Sequence, residues 1–137
     1  MAYFDTSALL KLLVDEEGSA LAVQSWDEAT LVITSRLAYP EARAALAAAT
    51  RAGRISSAAL RVAKQGLNGL FRQVRLIEVS SSVASDAGEL AESHSLRGYD
   101  AVHLASALAV FGGEMLLVTW DVDLGSAAQR EGLAVAP

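Results

Sequence analysis

Five acidic residues stand where the chain leaves an apolar run or opens a helical pattern: Asp5 after Tyr3-Phe4, Glu41 in an alanine-rich stretch, Asp100 before Ala101-Val102, and Asp121 and Asp123 after Leu117-Val118-Thr119. Taken singly, each Asp reads as a helix N-cap, since a carboxylate there satisfies orphan amides and suits the helix dipole. Glu41 does not. It projects with Leu37, Ala45 and Ala48, on the side of its helix away from Arg43, which aims a carboxylate at the apolar interior. Burial of an unpaired carboxylate is costly, so Glu41 demands a cation, either an arginine or a metal. A metal accounts for several of the acids together. Asp and Glu oxygens, with no cysteine and with histidine only at His94 and His103, form a hard-donor set suited to Mg²⁺ or Mn²⁺ and unsuited to structural zinc. Mg²⁺ takes one or two carboxylates plus waters and substrate phosphate, which leaves other carboxylates to orient or deprotonate a water. That chemistry cleaves phosphodiesters.

The elements that must position these acids alternate between short apolar runs and helical patterns. Strands are expected at Met1–Phe4, Leu31–Ile33, Leu76–Val79, Met115–Thr119 and Leu133–Val135. Helices are expected over Ser7–Val14, Glu17–Glu28, from an N-cap at Ser35 to Ala52, from Ser56 or Ser57 to Arg72, over Ser81–Ser95, over Asp100–Phe111 and over Leu124–Glu131. Strands alternating with helices predict an α/β three-layer sandwich with a mostly parallel central sheet flanked by helices. In such sheets the ligand site lies beyond the carboxyl ends of the strands, where the acids fall.

At 137 residues with 53% hydrophobic and 20% charged residues, the chain suits a single domain spanning residues 1–137, well away from disordered or membrane compositions. No apolar stretch is long enough for a membrane span. The amino terminus carries neither a basic nor an apolar leader segment, and cysteine is absent, so disulfides and thiol chemistry are excluded and a cytoplasmic protein with no membrane association is expected. The net charge of −5 argues against a nucleic-acid partner until its distribution is considered. Between Arg36 and Arg75 the chain carries +7, with Glu41 as its one acid, and the remainder carries −12. That asymmetry predicts a basic arm beside an acidic body, with Arg43, Arg51, Arg54 and Arg61 as candidate contacts to RNA or to a partner protein.

Four segments, taken in order, resemble the motifs of PIN-domain ribonucleases, and most closely the VapC-like toxins of type II toxin–antitoxin modules. They are Tyr3-Phe4-Asp5-Thr6-Ser7-Ala8-Leu9-Leu10-Lys11, Glu41-Ala42-Arg43-Ala44-Ala45-Leu46, Arg97-Gly98-Tyr99-Asp100-Ala101-Val102-His103-Leu104-Ala105 and Leu117-Val118-Thr119-Trp120-Asp121-Val122-Asp123-Leu124. The resemblance implies a PIN-like fold, Mg²⁺- or Mn²⁺-dependent RNA hydrolysis, a cognate antitoxin protein and a homodimer. Position by position it implies Asp5, Glu41, Asp100 and Asp121 as the catalytic acids, with Asp5, Asp100 and Asp121 on the metal. It adds Asp123, Thr6, Ser7 and Thr119 as accessory positions. Pro40, directly before Glu41, departs from the pattern expected there and bears on where that helix starts.

Other readings weigh less. A receiver-like phosphoacceptor domain calls for paired acids after the first strand and a lysine after the last, and neither is present. A degenerate RNA- or protein-binding module has no need of four acids. His103, on an apolar helix, reads as a satisfied core histidine, and His94 as a surface residue. Ser7 reads as an N-cap or a hydrogen-bond donor rather than a nucleophile, since no motif places a histidine to activate it. Aromatic residues make up only 6%, so no base-stacking platform is evident, and Trp26 and Trp120 read as packing residues.

Overall fold

A computed structural model describes residues 1–137. The elements run β1 (Ala2–Phe4), α1 (Thr6–Lys11), α2 (Ser19–Glu28), β2 (Val32–Ser35), α3 (Ala38–Arg51), α4 (Ser57–Phe71), β3 (Arg75–Ile77), α5 (Ser81–His94), α6 (Gly98–Leu108), β4 (Leu116–Val118), α7 (Val122–Arg130) and β5 (Ala134–Ala136). The five strands form one sheet in the order β3-β2-β1-β4-β5, parallel at every pairing.

Side chains alternate across each strand, so one short run feeds two cores. Tyr3, Ile33 and Leu117 face one side and pack with Val83 and Ala87 of α5, Leu104 of α6 and Leu124 of α7. Ala2, Phe4, Val32 and Val118 face the other, against Ala8 and Leu9 of α1, Trp26 of α2, Ala38 of α3 and Phe71 of α4. Helices therefore cover both faces, which is why the strands are apolar on both sides. The expected three layers are present.

The chain builds outward from β1 through β2 to β3, then returns to place β4 on the other flank of β1. The strand order thus reverses between β1 and β4, with Phe4 in register with Val118. Loops leaving those two strands diverge and open a crevice at their carboxyl ends. Asp5 is the first residue past β1, and Thr119 the first past β4.

Element ends differ from the sequence expectation by one to three residues in most places, and Ser35 differs in kind. It is buried and closes β2 instead of capping a helix, while Leu37 precedes α3 with no side-chain cap. The strand extends because Thr34 donates from Oγ1 to the Phe4 carbonyl, 2.7 Å away, tying β2 to β1. Pro40 then falls in the first turn of α3, where its missing N–H had no partner to lose. Glu41 keeps its reach into the fold.

Candidate active site at the sheet switch point

Asp5 performs two tasks. As the N-cap of α1 it accepts from the Ala8 amide at Oδ1, 2.9 Å away, which fixes the carboxylate against β1. Ser7 Oγ donates to Oδ1 and Oδ2 at 2.7 and 3.0 Å, and Thr119 Oγ1 donates to Oδ2 at 2.7 Å. These hydroxyls also receive the next loop: the Trp120 amide donates to Ser7 Oγ at 2.8 Å and the Asp121 amide to Thr119 Oγ1 at 3.0 Å. The β1 and β4 exits are therefore joined through Asp5. Burial pushes its carboxyl above the ordinary range, against the charge of His103 and the hydrogen bonds from Ala8, Thr119 and Ser7.

Asp121 caps α7, accepting from the Leu124 amide at Oδ1, 2.9 Å away, and its other oxygen is left for a cation. Arg97 supplies one. Its Nη2 donates to Asp121 Oδ2 and its Nε to Asp100 Oδ2, both at 2.7 Å. Asp100 lies in the first turn of α6 and is buried, yet Arg97, not Asp100, holds the N-cap position there. Burial raises the Asp100 carboxyl, the hydrogen bond from Arg97 opposes the rise, and the charge of Asp121 adds to it.

Glu41 reaches the same edge from α3. Its Oε2 accepts from Thr6 Oγ1 and from His103 Nε2, each at 2.7 Å. Burial acts to raise this carboxyl, but the hydrogen bond and charge of His103, the bond from Thr6 and the charge of Arg97 together bring it below the usual range. The partner found beside Glu41 is thus the His103 ring, where the sequence suggested an arginine or a metal, and that ring also meets Tyr3 Oη through Nδ1 at 2.9 Å.

The structure brings Asp5, Glu41, Asp100 and Asp121 to one edge of the sheet, and it places Thr6 on Glu41 and both Ser7 and Thr119 on Asp5. Asp123 is exposed in the first turn of α7 and joins none of these bonds. Arg97 is the residue that the sequence reading missed; its place three positions before Asp100, the i and i+3 spacing of a helix face, was the available signal. His103 is fully buried with both nitrogens satisfied, as a core histidine would be, but one partner belongs to the acidic group.

No three Asp, Glu or His side chains stand close enough to enclose an ion. The donor chemistry nonetheless fits a hard divalent cation. All the acids offer oxygen, and one guanidinium already sits as a positive charge between Asp100 and Asp121. The basic arm is the α3–α4 hairpin, with Arg43 and Arg51 on α3, Arg54 in the connection and Arg61 on α4, all exposed. Arg43 is the most tied down, donating to Tyr39 Oη at 3.0 Å. Arg54 borders a groove of about 370 Å³ lined also by the acids Asp15 and Glu16 and by apolar residues such as Leu10, Ala45 and Ile55.

A wholly parallel sheet with both faces covered and acids gathered where its strand order reverses defines an α/β domain with its acidic cluster at the carboxyl edge of its strands. Residues 2–129 match the PIN domain family, and the chain belongs to it. It is 45% identical over 137 residues to Ribonuclease VapC45 and to Ribonuclease VapC49 of Mycobacterium tuberculosis, covering 100% of this chain and 95% of each relative. The fold is also that of FitAcB from Neisseria gonorrhoeae, with a TM-score of 0.73 at 19% identity, covering 100% of this chain and 97% of that one. Mycobacterium tuberculosis VapC20, described as a sarcin-ricin loop cleaving toxin, superposes with a TM-score of 0.70 at 21% identity, covering 93% of this chain and 95% of that one.

Proposed function

We propose that this protein is a divalent-metal-dependent endoribonuclease, the toxin of a toxin–antitoxin pair. The observation that carries the proposal is the gathering of Asp5, Glu41, Asp100 and Asp121 at the switch point, with Asp100 and Asp121 sharing one cation in Arg97. The ribonuclease names of the full-length relatives at 45% identity support it. Asp5, Asp100 and Asp121 would hold Mg²⁺ or Mn²⁺, which when bound neutralises phosphate charge and lowers the pKa of a water. Glu41 accepts a proton from the attacking water or orients it, being held ionised by His103 and Thr6. Ser7 and Thr119 keep both Asp5 oxygens aimed, and Arg97 is free to turn toward phosphate once another cation takes its place. Asp123 lies near enough in sequence to Asp121 to assist but has no fixed partner.

RNA is the proposed substrate and a cognate antitoxin protein the proposed partner, with a homodimer and a cytoplasmic setting completing the reading. FitAcB and a toxin–antitoxin complex from Klebsiella pneumoniae are structural neighbours, and the largely apolar groove beside Arg54 offers contacts suited to a peptide with apolar anchors. No helix is long and apolar enough to cross a membrane. The deciding experiment incubates the purified chain with total RNA, with Mn²⁺ or Mg²⁺ and with chelator. Discrete cleavage that chelator abolishes and Asp5→Asn lowers by orders of magnitude is expected. RNA binding without cleavage in either metal would instead favour a binding module.

A further inference from the structure

His103 occupies a position that core packing alone does not explain. It lies on α6, 2% exposed, and its ring stands edge-on to Tyr3 with centroids 5.9 Å apart and an interplanar angle of 77°. An ionised Glu41 oxygen can only accept, so the proton shared with it belongs to His103 Nε2. In the neutral ring Nδ1 is then an acceptor, and Tyr3 Oη donates to it. Turning the ring would break both bonds inside the core. Tyr3, itself fully buried on β1, thereby fixes the tautomer and the orientation of the ring that holds Glu41.

Glu41 needs such a restraint. Its side chain has three rotatable bonds and remains 21% exposed, so solvent competes for it. The bonds from His103 and Thr6 converge on Oε2, and Oε1 has no protein donor. We propose that His103, locked by Tyr3, is a positioning residue that immobilises Glu41 through Oε2 and leaves Oε1 to the reacting water, an inference that rests on the nuclease reading above. Partners that orient a reacting group in this way typically contribute 10- to 100-fold.

The test is a double-mutant cycle on RNA cleavage, run under steady-state turnover with Mn²⁺ and over a range of RNA concentrations. His103→Phe should lower kcat about 10- to 100-fold with KM little changed. His103→Gln, whose amide still donates to Glu41, should retain more activity. Tyr3→Phe, which leaves the ring and its packing in place, should show a smaller loss and serves if His103→Phe does not fold. In a Glu41→Gln background each of these losses should shrink to less than about threefold, because a residue acting through Glu41 has nothing left to act on. Full additivity, or a loss carried by KM alone, overturns the proposal. A nitrogen-15 spectrum of the His103 ring supplies a readout independent of activity. An Nε2–H tautomer whose population falls in Tyr3→Phe supports the positioning, and an Nδ1–H tautomer refutes it. Should the unmodified protein cleave no RNA, the nuclease reading fails by itself and the spectrum still decides whether His103 holds Glu41.

Discussion

Asp5 and Glu41 are both carboxylates at one edge of one sheet, yet their environments push them in opposite directions. Burial raises Asp5, so its folded form holds a proton more readily than its unfolded form; its contribution to stability is present below the ordinary value of 3.8 and is lost as pH rises through the folded value. Glu41 is lowered, and its contribution is present above the ordinary value of 4.5 and lost as pH falls through the folded one. At pH 7 and without metal, Asp5→Asn should therefore melt higher than the unmodified protein, while Glu41→Gln should melt lower. Asparagine keeps an oxygen for the Ala8 amide, and the Ser7 and Thr119 hydroxyls can turn to accept from its NH₂. Thermal melts at pH 7 and pH 4 check the pair, and the Asp5→Asn advantage should narrow at the lower pH. A gain in stability accompanied by loss of cleavage is what a site built from repelling charges predicts.

At the scale of elements, the α3–α4 hairpin carries the basic arm and α1 with the β4 exit carries the acids. Binding of single-stranded RNA by an Asp5→Asn protein should weaken with salt, with a log–log slope of roughly 0.7 for each phosphate neutralised. Adding Arg54→Ala and Arg61→Ala should flatten that slope by about 1.4 if both arginines touch phosphate. Equal slopes would take the hairpin out of the RNA path. Much of this arrangement was legible in the sequence, because periodicity and apolar runs mark elements, and Asp5 and Asp121 sit at caps that sequence rules recognise. Ser35 misled for a physical reason: a hydroxyl before a helix resembles a cap, but the bond from Thr34 to β1 prolongs the strand through it. The pairing of Glu41 with His103 spans 62 positions, and no local pattern reports a contact set by how α3 and α6 pack on opposite sides of β1. Arg97 escaped similarly, since its bond to Asp121 crosses from the start of α6 to the start of α7.

For the molecule as a whole, the switch point concentrates negative charge on a body whose net charge is already −5. Divalent cations should stabilise the fold, by about 2.7 kcal/mol at a hundred times the dissociation constant. A calorimetric or fluorescence melt in millimolar Mn²⁺ should show this rise, and excess chelator should remove it. Arg97→Gln takes away the resident counter-ion of Asp100 and Asp121, so the metal-free protein should melt lower and the metal-induced rise should grow. An unchanged rise would mean that Arg97 and the added cation do not share a position.

Trp120 lies between Asp5 and Asp121 in this network, its amide on Ser7 and the ammonium of Lys11 over its ring, 5.0 Å from the centroid. The indole lies close against Gly18, which has φ of +90°, and a methyl group there would meet the indole nitrogen at 2.7 Å. Gly18→Ala should accordingly cost about 1–2 kcal/mol from the left-handed backbone alone, read by urea unfolding. The same seating gives the protein a built-in optical gauge. With Trp26 replaced by phenylalanine, the remaining indole emission should change as Mn²⁺ is titrated and should stay flat in Asp5→Asn, so that occupancy of the acidic edge can be followed in real time without RNA.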